Sequence, residues 1–296
     1  MMERVEALIN QLIVEIDFPQ AIELFSKLAG GKRLRARLIL TIAPSHPDAP
    51  LLGAIVELIH AASLLHDDVI DEASLRRGAA SVNATHGSKV AIMLGDILYS
   101  KAFSALTVFD SRIAHSIAQS VTKLSVGEMM DVEMAKSFNV NRDDYLHMLY
   151  LKTATLIESC AYCAALLENK EVEKYALYGK NLGTAFQIVD DILDITSDEA
   201  TLGKPSFNDF VEGKTTLPYI DLYDVLEGTE KETLVRCHGR VLDLQEKEWL
   251  FGVMEKHGVI EKSYAYAQLL CDEAISAVPH ESALLAIITS VILRNH

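Results

Sequence analysis

The sequence predicts an all-α chain, and three observations carry that prediction. Apolar residues recur at three- and four-residue spacing along most of its length, as in Glu3 to Ile16 and Lys89 to Ala135. No run of β-branched residues alternates with period two, and no Asn-Gly or Asp-Gly pair is present to close a hairpin. No G-x-G-x-x-G fingerprint follows a strand-like run, which removes a dinucleotide-binding α/β fold. No linker separates two halves, so residues 1–296 are expected to form one domain, about ten or more helices around a central cavity.

Composition narrows the function. Hydrophobic residues make up 50% of the chain, enough for a sizeable core, and the formal net charge is −15. A nucleic-acid partner is excluded on that balance, since phosphate binding needs a basic face. The four cysteines, Cys160, Cys163, Cys237 and Cys271, do not look like a disulfide framework in a chain this long. Cys160 and Cys163 form C-x-x-C, but within the helical apolar run ATLIESCAYCAALL and without a second ligand pair, so they read as buried core thiols. The N-terminal stretch MMERVEALINQLIVEI carries acids and lacks a signal-peptide pattern. The apolar run from Ala283 to Leu293 is too short to span a bilayer and is interrupted by Thr289 and Ser290. A soluble, cytoplasmic protein without a transmembrane segment is expected.

In chain order, Glu3 to Ile16 is an amphipathic helix. Gly30-Gly31 then breaks the pattern before the densest basic cluster, Lys32 to Arg37. A glycine pair before a basic helix start lets amides and cationic side chains approach one anion. Pro44, Pro47 and Pro50 close a short turn. Leu51 to Gly78 is the organising stretch: an apolar helix that ends in Asp67, Asp68 and Asp71, followed by Arg76 and Arg77. Acids crowded at one helix end repel each other unless a cation neutralises them, and carboxylate oxygens suit Mg²⁺ bridged to substrate phosphates. Lys89 to Ala135 is helical and broken at Gly95 and Gly127, with Glu128, Asp131 and Glu133 expected on a solvated face or loop-facing end. Asp143 to Leu167 is a further helix, N-capped by Asn141 or Asp143. Lys152 within that apolar run needs an anion.

Leu182 to Asp194 then repeats the D-D-x-x-D spacing with Asp190, Asp191 and Asp194. Two such clusters are not two independent solvated ends. If their helices face each other, the carboxylates converge on a spot that only divalent cations carrying an anionic ligand make tenable. Thr201 to Thr216 is dense in loop signals, and its lysines suit a lid that closes over anions. Tyr219 to Arg294 reads as further helices punctuated by Gly228, Gly239, Gly258 and Pro279.

Four motifs, GGKRLR from Gly30, HDDVIDEASLRRG, QIVDDILD and GKPSFNDFVEGKTTLP from Gly203, together resemble the trans-type (head-to-tail) isoprenyl diphosphate synthases over nearly the whole chain. The resemblance implies the isoprenoid synthase fold, a homodimer, and about three Mg²⁺ ions per site held by Asp67, Asp68, Asp71, Asp190, Asp191 and Asp194. It implies that Lys32, Arg35, His60 and Arg77 hold isopentenyl diphosphate. Arg76, Lys152, Thr153, Gln187, Lys204 and Lys214 would hold the allylic diphosphate. Catalysis would fall to Asp67, Asp71, Asp190, Lys152 and Lys204. Arg294 would add positive charge near the homoallylic site, while His66 stays structural. Two departures stand out: Ala36 replaces a proline that commonly follows the basic motif, and Phe207 replaces a glycine in the loop, which leaves the local backbone there open. A class I terpene cyclase is disfavoured by the intact second D-D-x-x-D and by Lys32 and Arg35. A non-catalytic partner subunit should lack some of the aspartates, and an EF-hand needs alternating oxygens and a central glycine.

Product length follows from the face of the helix that carries Asp67, on which Leu64, Ser63, His60 and Val56 also lie. In the family, bulky aromatics four or five residues before the first aspartate stop elongation early. Ser63 and Ala62 occupy those positions here and are small. Met129, Met130 and Met134 are candidates for a deeper floor. Each turn opens about 5.4 Å, so an open wall of three or more turns predicts roughly six to eight isoprene units, a quinone side-chain length. Geranylgeranyl or farnesyl diphosphate is the alternative product.

Overall fold

The computed structural model describes residues 1–28, 31–76, 78–196 and 207–292. They are overwhelmingly helical, as expected. Contacts group them into two compact units, Met1–Val121 with Ser159–Ala176 and Thr122–Glu158 with Leu177–His296.

The first unit contains α1 (Met2–Val14), α2 (Pro19–Lys27), α3 (Leu34–Ile42), α4 (Ala49–Ile70), α5 (Val82–His86), α6 (Ser88–Leu106) and the start of α7 (Ser111–Met134). Helix α4 is its centre and packs against α1, α3 and α6. Every residue from Leu52 to Ile59 is buried, because α4 is apolar around its whole circumference. Among the described residues α4 alone is long and apolar enough to cross a membrane, and 72% of that apolar stretch is buried inside the protein, as in a core helix.

Glu57 is the one charge in the buried run. Its Oε1 accepts the Ala36 N–H at 3.0 Å, and Oε2 lies 3.5 Å from the Arg33 guanidinium, which also pairs with Glu6 at 2.9 Å. Arg33 sits at φ 49° as the N-cap of α3, so this pairing fixes the entry of the basic motif. A proline at position 36 would have no N–H to give Glu57.

A fragment of sheet stands among these helices. A short antiparallel ribbon, β1 (Leu75–Arg76) with β2 (Ala79–Ala80), follows the first acidic cluster, with Arg76 opposite Ala79. Strands of two residues are too short to show alternation, and Gly78 at φ 77° supplies the turn.

The second unit holds the end of α7, then α8 (Arg142–Leu149), a π-helical turn (Tyr150–Ala154), the first turn of α9 (Thr155–Leu167) and most of α10 (Val172–Thr196), while the rest of α9 and the start of α10 belong to the first unit. It continues through α11 (Asn208–Val211), α12 (Leu217–Val225), α13 (Gly228–Cys237), α14 (Leu244–His257), α15 (Val259–Ala277) and α16 (Ser282–Ile292). Asn141 caps α8 through the Asp143 and Asp144 amides at 3.0 and 3.3 Å. The single helix expected from Asp143 to Leu167 is instead interrupted by the π turn. Two glycines hold that turn from either side. A Cβ on Gly127 of α7 would meet the Leu151 and Lys152 backbone at 2.8 Å, and one on Gly183 of α10 would meet Ala154 Cα at 2.6 Å. The cysteines are buried and free; burial pushes the Cys163 thiol up to about 12.

Candidate active site

The first acidic cluster closes α4. Asp67 and Asp71 are partly exposed, whereas Asp68 is 4% exposed and committed to Arg76, whose Nε donates to its Oδ1 at 2.6 Å. Burial pushes the Asp68 carboxyl up, with Arg76 opposing. The ribbon therefore aims Arg76 at the acidic motif, where an allylic diphosphate was expected to meet it. Elsewhere in this unit Lys32 is exposed, Arg35 and His60 are half-buried, and Ala62 and Ser63 are buried on α4. His66 touches the Ile92 carbonyl at 3.1 Å and is backed by Gly95, consistent with a structural role. Gly30, Arg77, Lys204 and Arg294 lie outside the described residues.

The second cluster closes α10 and divides differently, with both later aspartates buried. Asp190 is exposed. Asp191 accepts from the Tyr145 hydroxyl at 2.5 Å and from the Gln187 amide at 2.9 Å. Asp194, 1% exposed, accepts the Asp209 N–H at 3.1 Å near the start of α11. Burial, with the charges of Asp209 and Asp190 adding to it, holds the Asp191 carboxyl well above its ordinary range.

Beside this cluster lies a cavity of about 100 Å³ whose lining includes Lys152, Thr153, Gln187, Asp191 and Lys214. Four residues that the family resemblance placed on one diphosphate, Lys152, Thr153, Gln187 and Lys214, thus share one cavity wall. Thr153 donates to Gln187 Oε1 at 3.0 Å. Lys152 Nζ sits 2.5 Å from Asp131 and 2.9 Å from Glu128. Burial disfavours its charge, but these two carboxylates outweigh that and hold the ammonium above its ordinary range.

Several expectations are corrected here. Glu128 and Asp131 are not on a solvated face: each is 6% exposed and grips Lys152, and only Glu133 points outward. Met129 is 74% exposed and no enclosed floor, while Met134 lines the cavity. Phe207 takes the left-handed backbone that favours glycine, at φ 62°, with its side chain 4% exposed. Tyr145 was not singled out from sequence, and neither was Asp209. No local spacing connects either to the aspartates; an isolated tyrosine in a helical run looks like core.

Among the described residues, no three His, Cys, Asp or Glu side chains come close enough to hold a metal alone. Mg²⁺, the ion the family resemblance implies, takes one or two carboxylates, keeps waters and completes its shell with substrate phosphates. Asp67 and Asp71 in the first unit are partly exposed and Asp190 in the second is exposed, and a carboxylate at an accessible position is the kind of donor such an ion takes.

A polyprenyl synthetase family model matches residues 19–253. The chain belongs to the polyprenyl synthetase family. It is a prenyltransferase, and relatives agree over almost all of its length. An octaprenyl diphosphate synthase from Escherichia coli (strain K12) is 32% identical over 286 residues, 92% of this chain and 87% of that one. The crystal structure of an octaprenyl pyrophosphate synthase from Helicobacter pylori superposes with a TM-score of 0.94 at 40% identity, covering 99% of this chain and 100% of its counterpart. A short chain isoprenyl diphosphate synthase from Methanothermobacter thermautotrophicus is 34% identical over 251 residues, 81% of this chain and 77% of that one.

Proposed function

We propose that this chain condenses isopentenyl diphosphate with an allylic diphosphate to build a long all-trans polyprenyl diphosphate for a quinone side chain, in the cytoplasm and as a homodimer. The observation that carries the reading is the shared cavity of Lys152, Thr153, Gln187 and Lys214 beside the Asp190 cluster, in a chain of this family. Lys152 and Lys214 bind the oxygens of the allylic diphosphate and stabilise the charge that develops as it leaves. Lys32, Arg35, His60 and Arg77 hold isopentenyl diphosphate. Asp67, Asp71 and Asp190 would hold Mg²⁺, which when bound adds a Lewis acid against the same leaving group. No side chain stands out as the base, so the proton lost from the new chain passes to the departing diphosphate. Apolar walls keep water from the allylic cation.

Long product is favoured by Ala62 and Ser63, both small and buried on the helix that carries Asp67. A geranylgeranyl product is the second reading, and the similarity to a short chain synthase keeps a shorter product in view. The purified chain, given labelled isopentenyl diphosphate and an allylic primer, decides by chromatography of the dephosphorylated products. Roughly six to eight units are expected, and Ala62→Phe or Ser63→Phe should shorten them without abolishing turnover. A wild-type product no longer than farnesyl, or no shift in either variant, would overturn the length reading.

A further inference from the structure

The second acidic motif contains a carboxylate whose two oxygens are both already engaged. Asp191 is 5% exposed, and both of its oxygens already accept: Oδ2 from Tyr145 Oη at 2.5 Å and Oδ1 from Gln187 Nε2 at 2.9 Å. Gln187 is pinned from its other side as well, because Thr153 Oγ1 donates to its Oε1 at 3.0 Å. An amide held between a carboxylate and a hydroxyl donor has one orientation. Flipping it would set two acceptors against each other at Asp191. One Gln187 N–H is spent on Asp191, which leaves the second for an oxygen in the cavity. All four side chains line that cavity, together with Lys152 and Lys214.

We infer that Asp191 is not a metal ligand but, with Tyr145, forms an orienting pair that fixes the Gln187 amide as a donor to the allylic diphosphate. Tyr145 is then a positioning residue, acting on the diphosphate through Asp191 and Gln187. The inference rests on the function proposed above. Its logic is that of a buried network in which every member is satisfied: removing one donor loosens the next group as well. Without the orienting pair, Gln187 can turn its oxygen toward an anion and repel it.

The test uses Tyr145→Phe and Asp191→Asn in the full chain. Affinity for inorganic diphosphate is measured by calorimetry with Mg²⁺ present, and steady-state constants for each substrate and for Mg²⁺ are measured beside it. Tyr145→Phe should weaken diphosphate binding and raise the allylic KM about 5- to 30-fold, with the isopentenyl KM and the Mg²⁺ half-saturation held within about twofold. Asp191→Asn can still accept from Gln187 and donate to the Tyr145 oxygen, so its Mg²⁺ half-saturation should also stay near wild type. A shift in that constant as large as the one in Asp190→Asn would make Asp191 a ligand and overturn the inference. So would a Tyr145→Phe enzyme that melts lower but binds diphosphate normally. Should Tyr145→Phe not fold, the Asp191→Asn comparison stands by itself. Wild-type protein that binds diphosphate yet never consumes isopentenyl diphosphate would instead refute the proposed function, leaving the binding comparison readable.

Discussion

Replacing Gly127 with alanine asks how closely the π turn must be held. The new methyl carbon would lie 2.8 Å from Leu151 C and from Lys152 Cα. Ordinary carbon contacts need about 3.5 Å or more, so one of the two elements must retreat by most of an ångström. Neither neighbour is a flexible tip; both are backbone. Overpacking of this kind costs about 1–3 kcal/mol, and alanine returns about 1 kcal/mol of helix propensity, so the net loss is roughly 0–2 kcal/mol. Spread over the unfolding entropy of a chain this size, that lowers the melting temperature by at most a few degrees.

The effect on turnover should be much larger. Lys152 Nζ is fixed between Asp131 and Glu128 at 2.5 and 2.9 Å, and it moves with its backbone. A misplacement of about 1 Å in a group that positions substrate can cost on the order of 100-fold in rate. Calorimetric melting and steady-state turnover, measured on the same preparation, separate the two effects. Gly252→Ala is the matched control: it is also helical, and nothing lies within 4 Å of its added methyl. It should gain up to about 1 kcal/mol and keep its rate. Gly127→Ala with wild-type turnover would refute the claim that the two-glycine clamp sets Lys152.

Two further outcomes follow from the loop that ends at Thr216. At Phe207 the left-handed backbone costs about 1–2 kcal/mol, while deleting a buried ring costs about 3–5 kcal/mol. Phe207→Gly should therefore be less stable than wild type, and Phe207→Ala less stable again, in urea titrations; a stabilised glycine variant would contradict this. His238 donates to the Gly213 carbonyl at 2.6 Å and packs on Phe138 and Phe210. Burial lowers its pKa below the ordinary 6.5 despite the carbonyl, so the unfolded chain binds the proton first. Stability is then flat above about pH 6.5 and falls on acidification below it. His238→Gln should flatten the melting-temperature curve there, and an unchanged difference between variant and wild type from pH 7 to 5 would show that the ring does not titrate as stated.

What the sequence revealed and what it hid differ in a physical way. The two acidic clusters were legible because a D-D-x-x-D spacing is local and helical geometry turns spacing into a fixed relation between side chains. Their division of labour was not. Asp68 is taken by Arg76 through a ribbon two residues wide, and Asp191 by a tyrosine 46 residues away in sequence. Lys152 was legible as a buried cation in need of an anion, but its partners Glu128 and Asp131 come from another helix. The π turn that presents it leaves no periodic mark over five residues. Departures from family pattern show the same limit from the other side. Ala36 in place of a proline looks like a lost constraint when read locally. In the folded chain its N–H is bound by Glu57, a charge buried in an otherwise apolar run of α4 and 21 residues away. A carboxylate can hold that helix entry only where an N–H is offered. The substitution at 36 and the acid at 57 therefore make sense as a pair, and Arg33 at 3.5 Å supplies the charge that makes burying Glu57 tolerable.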